Sequence, residues 1–347
     1  MIIKTAILTE GKECFYPQRY EPNIEMFKKY AHLYQKDPQE LFEEVKTTVD
    51  EVSDYEDMSS EEKEDTEIRK TDRIVCALIE EENDPRLEVY LYDKETEAFY
   101  VHHDVFIHDS PTSLAALDRA EDPFVFVSNE NGEIIGYNLF VSNHFFPDLV
   151  IDAHDSSIRE IESEGELLVS TDGNSLKGWS STTQKSLFVE GSVKAEALSI
   201  NKSVFFSSAK SLFRYDQREG AAHAIFKADS DITGISTSES VVAVGTAGGD
   251  ILYSIDGQQP QRENTHKEKI NSLVVTENRY IASASKDGSI TLYDTKNREL
   301  LFRKETSIDT ITINMPKDDR SLYVFPSDSG DQALEMDSFE DVFSKTE

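Results

Sequence analysis

This 347-residue chain has little cysteine, little tryptophan and little positive charge. Its two cysteines, Cys14 and Cys76, exclude a disulfide framework and fit a reducing compartment. Lys and Arg number 35 against 68 Asp and Glu, a formal charge of −33. A broad nucleic-acid-binding face needs clustered Lys and Arg to displace counterions, so the charge argues against such a face and leaves direct RNA contact open. Basic partners suit such a chain better. No stretch approaches the roughly 18 apolar residues of a membrane-spanning helix. The apolar part of residues 1 to 10 is too short for a signal peptide. The reading is therefore an intracellular protein, cytosolic or nuclear.

What is present is unevenly placed. Residues 40 to 67 hold thirteen Asp or Glu and two Lys, a third of the whole excess in under a tenth of the chain. The run from Asp50 to Asp65 has too few apolar side chains to offset its ordering entropy, and residues 50 to 71 read as an acidic linker. Glu56, Asp57, Glu61, Glu62, Glu64 and Asp65 are its candidate contacts to basic partners. Ser53 and Ser59 each precede a Glu by three positions, Glu56 and Glu62, the pattern of acid-directed kinases. Phosphorylation there adds about −1.5 to −2 charge per site.

Two helices are predicted within residues 21 to 52. Glu21-Pro22 opens the first, with Ile24, Phe27, Tyr30 and Leu33 at intervals of three. Asp37 caps the second, with Pro38 at the first helical position and Glu40 three residues after the cap. Leu41, Phe42, Val45 and Val49 give it an apolar stripe, read as a docking face onto the rest of the protein.

From residue 72 the helical period is lost and short β-rich runs alternate with turns, as in a sandwich, barrel or propeller. An internal repeat decides among these. Its clearest copy is Thr265-His266, then Ile270-Asn-Ser-Leu-Val-Val, then Tyr280-Ile-Ala-Ser-Ala-Ser-Lys-Asp-Gly-Ser-Ile-Thr-Leu-Tyr-Asp294. A His before the first strand, an Asp-Gly turn and an aromatic-Asp ending is the WD-repeat pattern. Comparable endings are Tyr92-Asp93, Tyr137-Asn138, Trp179-Ser180, Tyr215-Asp216, Ile255-Asp256, Tyr293-Asp294 and Met336-Asp337, spaced by 45, 42, 36, 40, 38 and 43 residues. Propeller blades of four strands repeat at about 40 to 45 residues. The expectation is an all-β, seven-bladed WD-repeat β-propeller over residues 72 to 345, with a short N-terminal helical and acidic insertion. Residues 1 to 10, through Ile3 to Leu8, supply the innermost strand that the first blade lacks. The alternative places them on the outer edge of the last blade, which residues 341 to 344 could also fill.

His266, Ser283, Asp287 and Tyr293 stand where such a repeat builds a hydrogen-bonded chain, with the Tyr293 phenol replacing the usual indole as its end. His154, Asp172 and Trp179 form a second set. A hydrolase triad is the rival reading of His, Ser and Asp, but no Gly-x-Ser-x-Gly elbow accompanies them. His102, His103 and His108, with Asp104, suggest a metal only until the strand period is applied, since His102 and His103 then point to opposite faces. Gly245-Thr-Ala-Gly-Gly-Asp250 lacks the Lys of a phosphate loop and reads as a turn. No catalytic residue, cofactor or metal ligand is assigned.

Several segments resemble one family, periodic tryptophan protein 1, a WD-repeat factor of eukaryotic ribosome assembly. They are Asp54 to Asp72, Leu87-Glu-Val-Tyr-Leu-Tyr-Asp93, Tyr100-Val-His-His-Asp104, Phe146-Pro-Asp-Leu149, and Pro17-Gln-Arg-Tyr20 followed by two helices. Only Trp179 remains of the tryptophans that name the family, and its lysine-rich insertion is missing, since Asp148 runs to His154 within six residues. The resemblance implies a non-enzymatic scaffold of the nucleus and nucleolus, acting in large-subunit precursor assembly and rRNA processing. Its implied partners are pre-ribosomal particle proteins and basic ribosomal proteins or histone tails, with the chain a monomer inside a larger assembly. A chromatin or trafficking adaptor is the alternative, and a propeller hydrolase the more remote one.

Overall fold

The structure, a computed structural model, describes residues 2–8, 18–51, 66–69, 71–81, 84–117, 123–142, 144–191, 193–306, 312–315, 322–327 and 333–344. Ser53, Glu56, Asp57, Ser59, Glu61, Glu62, Glu64 and Asp65, with Cys14, lie outside the described residues. No helix among the described residues is long and apolar enough to cross a membrane.

Six antiparallel sheets of four strands each form an all-β propeller. Blade 1 joins Ile2–Ile7, Arg73–Glu81, Asp84–Asp93 and Ala98–Phe106. Blade 2 runs Pro111–Leu117, Phe124–Asn129, Glu133–Asn138 and Leu149–Asp152. Blade 3 is Glu160–Glu164, Leu167–Thr171, Leu176–Ser180 and Ser186–Glu190. Blade 4 is Leu198–Ile200, Val204–Ser208, Ser211–Asp216 and Ala221–Lys227. Blade 5 is Ile232–Thr237, Val241–Thr246, Asp250–Ile255 and Gln261–Asn264. Blade 6 is Ile270–Thr276, Tyr280–Ser285, Ser289–Asp294 and Glu299–Glu305.

A smaller sheet pairs Leu322–Pro326 with Leu334–Ser338, and Asn314 adds a single bridge to Val324. Seven four-stranded blades were expected; the described residues make six and this reduced seventh sheet. Residues 341 to 344 do not fill an edge strand there. Glu340–Phe343 turns as a helix, because Phe339 and Phe343, four positions apart, both bury their rings, Phe339 against Tyr323 at 4.1 Å and Phe343 against Tyr280 at 5.0 Å.

The core lies between sheets. Phe126 of blade 2 packs with Ile161, Leu168 and Trp179 of blade 3, and Val169 and Leu176 of blade 3 pack with Val204 and Phe206 of blade 4. The ring closes the same way. Tyr323 and Phe325 of the small sheet meet Ala282 and Leu292 of blade 6, while its Val324 and Leu334 meet Ile2, Val75 and Tyr90 of blade 1. Alternation along each strand sends apolar side chains to both neighbouring gaps.

Bulges recur at equivalent places. Innermost strands carry an extra residue at Ile3, Thr112, Thr233 and Asn271. Outermost strands carry one at His102, Leu187, Ile225 and Leu301. Such insertions bend a strand and sharpen its twist, which each blade needs between hub and rim.

The N-terminal helices dock on blade 2. Helix α1, Ile24–Tyr30, starts after Asn23, whose side chain accepts the Glu25 N–H at 3.0 Å, so the helix opens two residues later than Glu21-Pro22 suggested. Helix α2, Pro38–Glu51, is capped by Asp37, which accepts from the Gln39 and Glu40 N–H groups at 2.9 and 3.3 Å. Phe27, Tyr30, Leu41 and Val45 bury against Val141 and Phe146 of the blade 2 connection. Lys29 fixes the orientation through Glu133 at 2.8 Å and Asp152 at 2.9 Å.

Candidate functional site

The His-containing sets are hydrogen-bonded chains inside the wall of the propeller. In blade 3 the Trp179 indole N–H donates to Ser170 Oγ at 2.9 Å, and Ser170 meets His154 Nε2 at 2.8 Å. His154 Nδ1 meets Ser175 Oγ at 3.1 Å, and Ser175 donates to Asp172 at 3.0 Å. The direction is consistent for a neutral imidazole: indole N–H to Ser170, Ser170 O–H to Nε2, Nδ1–H to Ser175, Ser175 O–H to carboxylate. Asp172 stands 3.7 Å from Nδ1, so Ser175 intervenes between them.

Electrostatics agree with that assignment. Burial brings the His154 pKa down to about 4, helped by Lys177 and opposed by Asp172. Burial alone would raise Asp172, but the Asn174 and Ser175 N–H groups and the Ser156 and Ser175 hydroxyls hold it down to about 2.

Blade 6 repeats the centre and changes the end. His266 Nε2 lies 2.8 Å from Ser283 Oγ and Nδ1 lies 2.9 Å from Ser289 Oγ, with Asp287 Oδ1 at 3.4 Å from Nδ1. Ser289 donates to Asp287 at 2.6 Å. Burial lowers the His266 pKa, with Asp287 opposing. Tyr293 was expected to end this chain, and it does not. Thr291 Oγ1 takes the place at 2.8 Å from Ser283 Oγ, while the Tyr293 ring lies 5.9 Å from that of Tyr253. Trp179 and Tyr293 occupy the same register, opposite Leu168 and Ile281. An indole carries its N–H on the side of the ring, toward the serine two residues along; a phenol carries its hydroxyl at the tip, beyond reach.

Glycine turns of the preceding blade set both histidines. Gly132 (φ +85°) accepts the His154 N–H at 2.8 Å, and Gly249 (φ +85°) accepts the His266 N–H at 3.0 Å. A Cβ there would stand 2.1 Å from the His154 carbonyl oxygen or 2.3 Å from that of His266. The Gly245 to Asp250 turn thus carries a neighbouring blade's imidazole. Ser170 and Ser283 have 0% exposure, so neither Oγ meets a substrate carbonyl. Ser170, Ser175, Ser289, Thr291 and the two glycines were missed from sequence; their signal was the repeated Gly ahead of each His.

His102 and His103 do meet, contrary to the strand period. His102 is the bulged residue, so the alternation of faces breaks, and the two Nδ1 atoms lie 2.7 Å apart. Burial, then His102 and His144, bring His103 down to about 3, so the pair is neutral and one ring donates to the other. His108 is elsewhere, its Nε2 at 3.1 Å from the Phe145 carbonyl. Among the described residues no group of three or more His, Cys, Asp or Glu could hold a metal. Cys76 is fully buried, and burial pushes its thiol well up.

The open feature is the central channel, a space of about 770 Å³ lined by the innermost strands of every blade and by Thr312 to Met315. Its lining mixes apolar and charged residues with hydroxyl and amide groups, among them Thr5, Ser113, Ser199, Thr237, Ser272 and Asn314. Lys4 reaches from blade 1 across to blade 3, meeting Glu160 at 2.5 Å, Glu162 at 3.0 Å and Ser113 Oγ at 3.3 Å. Burial opposes the charge on Lys4, but the two carboxylates raise its pKa. Burial raises Glu160 in turn, against Lys4. Glu162, Glu164, Glu239 and Glu277 lie toward one end of the innermost strands, Arg159 and Lys269 toward the other.

This architecture has relatives. Among curated proteins the chain is similar to an uncharacterized WD repeat-containing protein of Schizosaccharomyces pombe, 29% identical over 114 residues. The likeness is to a WD-repeat protein. That match covers 31% of this chain and 22% of the relative, so the chain spans about a fifth of the length of the protein it matches. Among solved structures it is similar to a computationally designed protein, with a TM-score of 0.58, 17% identity, and 76% of this chain and 80% of that one covered. At that identity the likeness is one of fold alone. No protein-family model matches the chain. A WD-repeat propeller is in general a non-enzymatic scaffold.

Proposed function

We propose that this chain is a binding platform for basic protein partners, acting as a scaffold in nucleolar assembly of large-subunit ribosomal precursors and rRNA processing. The observation that carries the scaffold reading is the closure of both His networks: each hydroxyl that resembles a nucleophile is buried and already bonded, while the channel and rim remain open. The charge of −33 supports basic partners, because it attracts them over the whole surface. The ribosomal assignment is supported by the resemblance of Leu87 to Asp93 and Tyr100 to Asp104 to periodic tryptophan protein 1. We read the Leu322–Pro326 and Leu334–Ser338 pair, with its Asn314 bridge, as a reduced seventh blade, and residues 1 to 10 as the innermost strand of the first. The acidic segment, with Ser53 and Ser59 as phosphorylation sites, is a salt-sensitive contact to ribosomal proteins.

Affinity purification with identification of the co-purifying RNA and proteins tests this. Precursor rRNA and large-subunit assembly proteins, with nucleolar accumulation, are the expected result. Recovery of histones or vesicle-coat components without rRNA would instead support the chromatin or trafficking adaptor.

A further inference from the structure

Six blades have four strands each, whereas the small seventh sheet stops at its third. Asn314 bridges Leu322–Pro326, Leu334–Ser338 follows, and the chain then turns away in the Glu340–Phe343 helix. Val324 exchanges both main-chain bonds with Asn314, and the Ser327 N–H donates to the Ala333 carbonyl at 2.9 Å. Antiparallel bonding alternates along a strand, so Leu334, Met336 and Ser338 turn their main-chain groups outward. Asp337 Oδ1 accepts the Ser338 N–H at 2.8 Å. Among the described residues no strand lies beside Met336 on that side.

The neighbouring wall of blade 1 is bare at the same place. Residues directly opposite one another in antiparallel strands share a face. Val101 pairs with Tyr90, Asp104 with Glu88 and Phe106 with Arg86, and these three partners alternate along one strand. Tyr90 packs with Val324 and Leu334, so this face of blade 1 looks toward the small sheet. Val101 is 41% exposed there and Phe106 58%. Other exposed apolar side chains have a different setting. Leu187, Val189 and Ile225 stand on blades whose two neighbours both carry a fourth strand, and Leu300 pairs with Tyr293, whose face meets blade 5. Val101 and Phe106 face the sheet whose fourth strand is lacking among the described residues.

We propose that an extended segment of a protein partner completes the seventh blade, pairing with Leu334–Ser338 as its fourth strand and covering Val101 and Phe106. The occupant is apolar on the face toward blade 1 and carries Lys or Arg at its ends. Main-chain bonds at Met336 hold it, and apolar side chains against Val101 and Phe106 select it. The basic ends follow from the carboxylates that border this edge. Asp104 lies beside Phe106 on the same face, and Glu340 and Asp341 stand where the third strand ends; all three are exposed and meet no cation among the described residues. The nearby Lys304 is already bound to Asp337 at 2.7 Å. The inference rests on the scaffold reading above and names one of its surfaces, at the rim and away from the channel.

The test uses the full chain and a short synthetic peptide of alternating valine and threonine with lysine at each end. Its controls are the same peptide N-methylated on alternate residues and a version with glutamate in place of lysine. Amide exchange and calorimetry are the readouts. Slowed exchange at Met336, with at least about tenfold weaker binding for both control peptides and for the double variant Val101→Thr, Phe106→Thr, supports the proposal. Both replaced side chains are exposed, so an unchanged melting temperature for the double variant verifies that the fold is kept. Five results would each overturn it: a Met336 amide already protected in the chain alone, protection confined to the channel or to another blade, binding indifferent to the double variant or to the glutamate peptide, no binding at all, or self-association of the chain. None of those outcomes touches the purification experiment, so this edge and the scaffold reading fail separately.

Discussion

Blades 3 and 6 carry the same imidazole between the same two serines, yet end differently. In blade 3 an indole N–H closes the chain, and in blade 6 a threonine hydroxyl does. The difference teaches that the histidine and its two serine contacts are the invariant part of the device, and that the closing donor is chosen by geometry. Blade 5 shows a third solution without histidine: Arg262 bridges Asp250 at 2.7 Å and also meets Asp229. A charged pair near the surface is screened by water and salt, whereas buried neutral hydrogen bonds are not.

Removing the shared part should have the largest effect. His266→Ala removes the imidazole between Ser283 and Ser289, leaving them only Thr291 and Asp287, and each buried hydrogen bond lost in this way costs about 0.5 to 1.5 kcal/mol. We expect about 3 kcal/mol, read as a fall in melting temperature of roughly 4 °C. A loss under about 1 kcal/mol would show that blade 6 does not depend on its histidine.

Acid separates the blades next. His154, at about 4 when folded against an ordinary 6.5, binds fewer protons folded than unfolded. Its contribution is present above the ordinary value and is lost as pH falls from about 6.5 toward about 4. Asp172, held at about 2, contributes above its ordinary 3.8 and is lost as pH falls from there toward 2. Urea midpoints of wild type and His154→Ala across that range should converge as the solution becomes acidic. Parallel lines would remove His154 from the pH response.

Trp179→Phe deletes the indole donor while keeping an aromatic ring, and should cost about 1 to 2 kcal/mol. Tyr293→Phe deletes a hydroxyl that the blade 6 chain does not use, and should change stability by under about 0.5 kcal/mol. Chemical denaturation of the two variants side by side checks the comparison at its finest point. Equal losses would mean that the Tyr293 hydroxyl does serve the chain.

The repeat around Thr265 to Asp294 was legible because one blade combines His, Asp-Gly and an aromatic-Asp ending at fixed offsets. The weaker copies were found only through their endings, and Met336-Asp337 does fall on the second strand of the small sheet. Tyr293 misled because residue type was matched to the repeat without asking where the polar atom sits on the ring. His102 misled because a strand period presumes no bulge. Lys4 gave no signal at all: its carboxylates are 156 and 158 residues away, and only the closed ring brings them near.

The innermost strand of blade 1 has a consequence for the order of folding. Blades 3 to 6 are each contiguous in the chain, so their hairpins can form as the segment emerges from the ribosome. Ile2–Ile7 must instead wait for Arg73–Glu81, across a loop whose closure entropy is met only by that pairing. Even then its Thr5 carbonyl finds the Asn314 amide, 309 residues away, only when the last sheet arrives. The first of the described strands is therefore the last to be fully bonded. Ring closure should appear as the slow step of refolding, and a permuted chain that begins at residue 66 and places residues 1 to 65 after the last sheet should shift the rate more than the equilibrium.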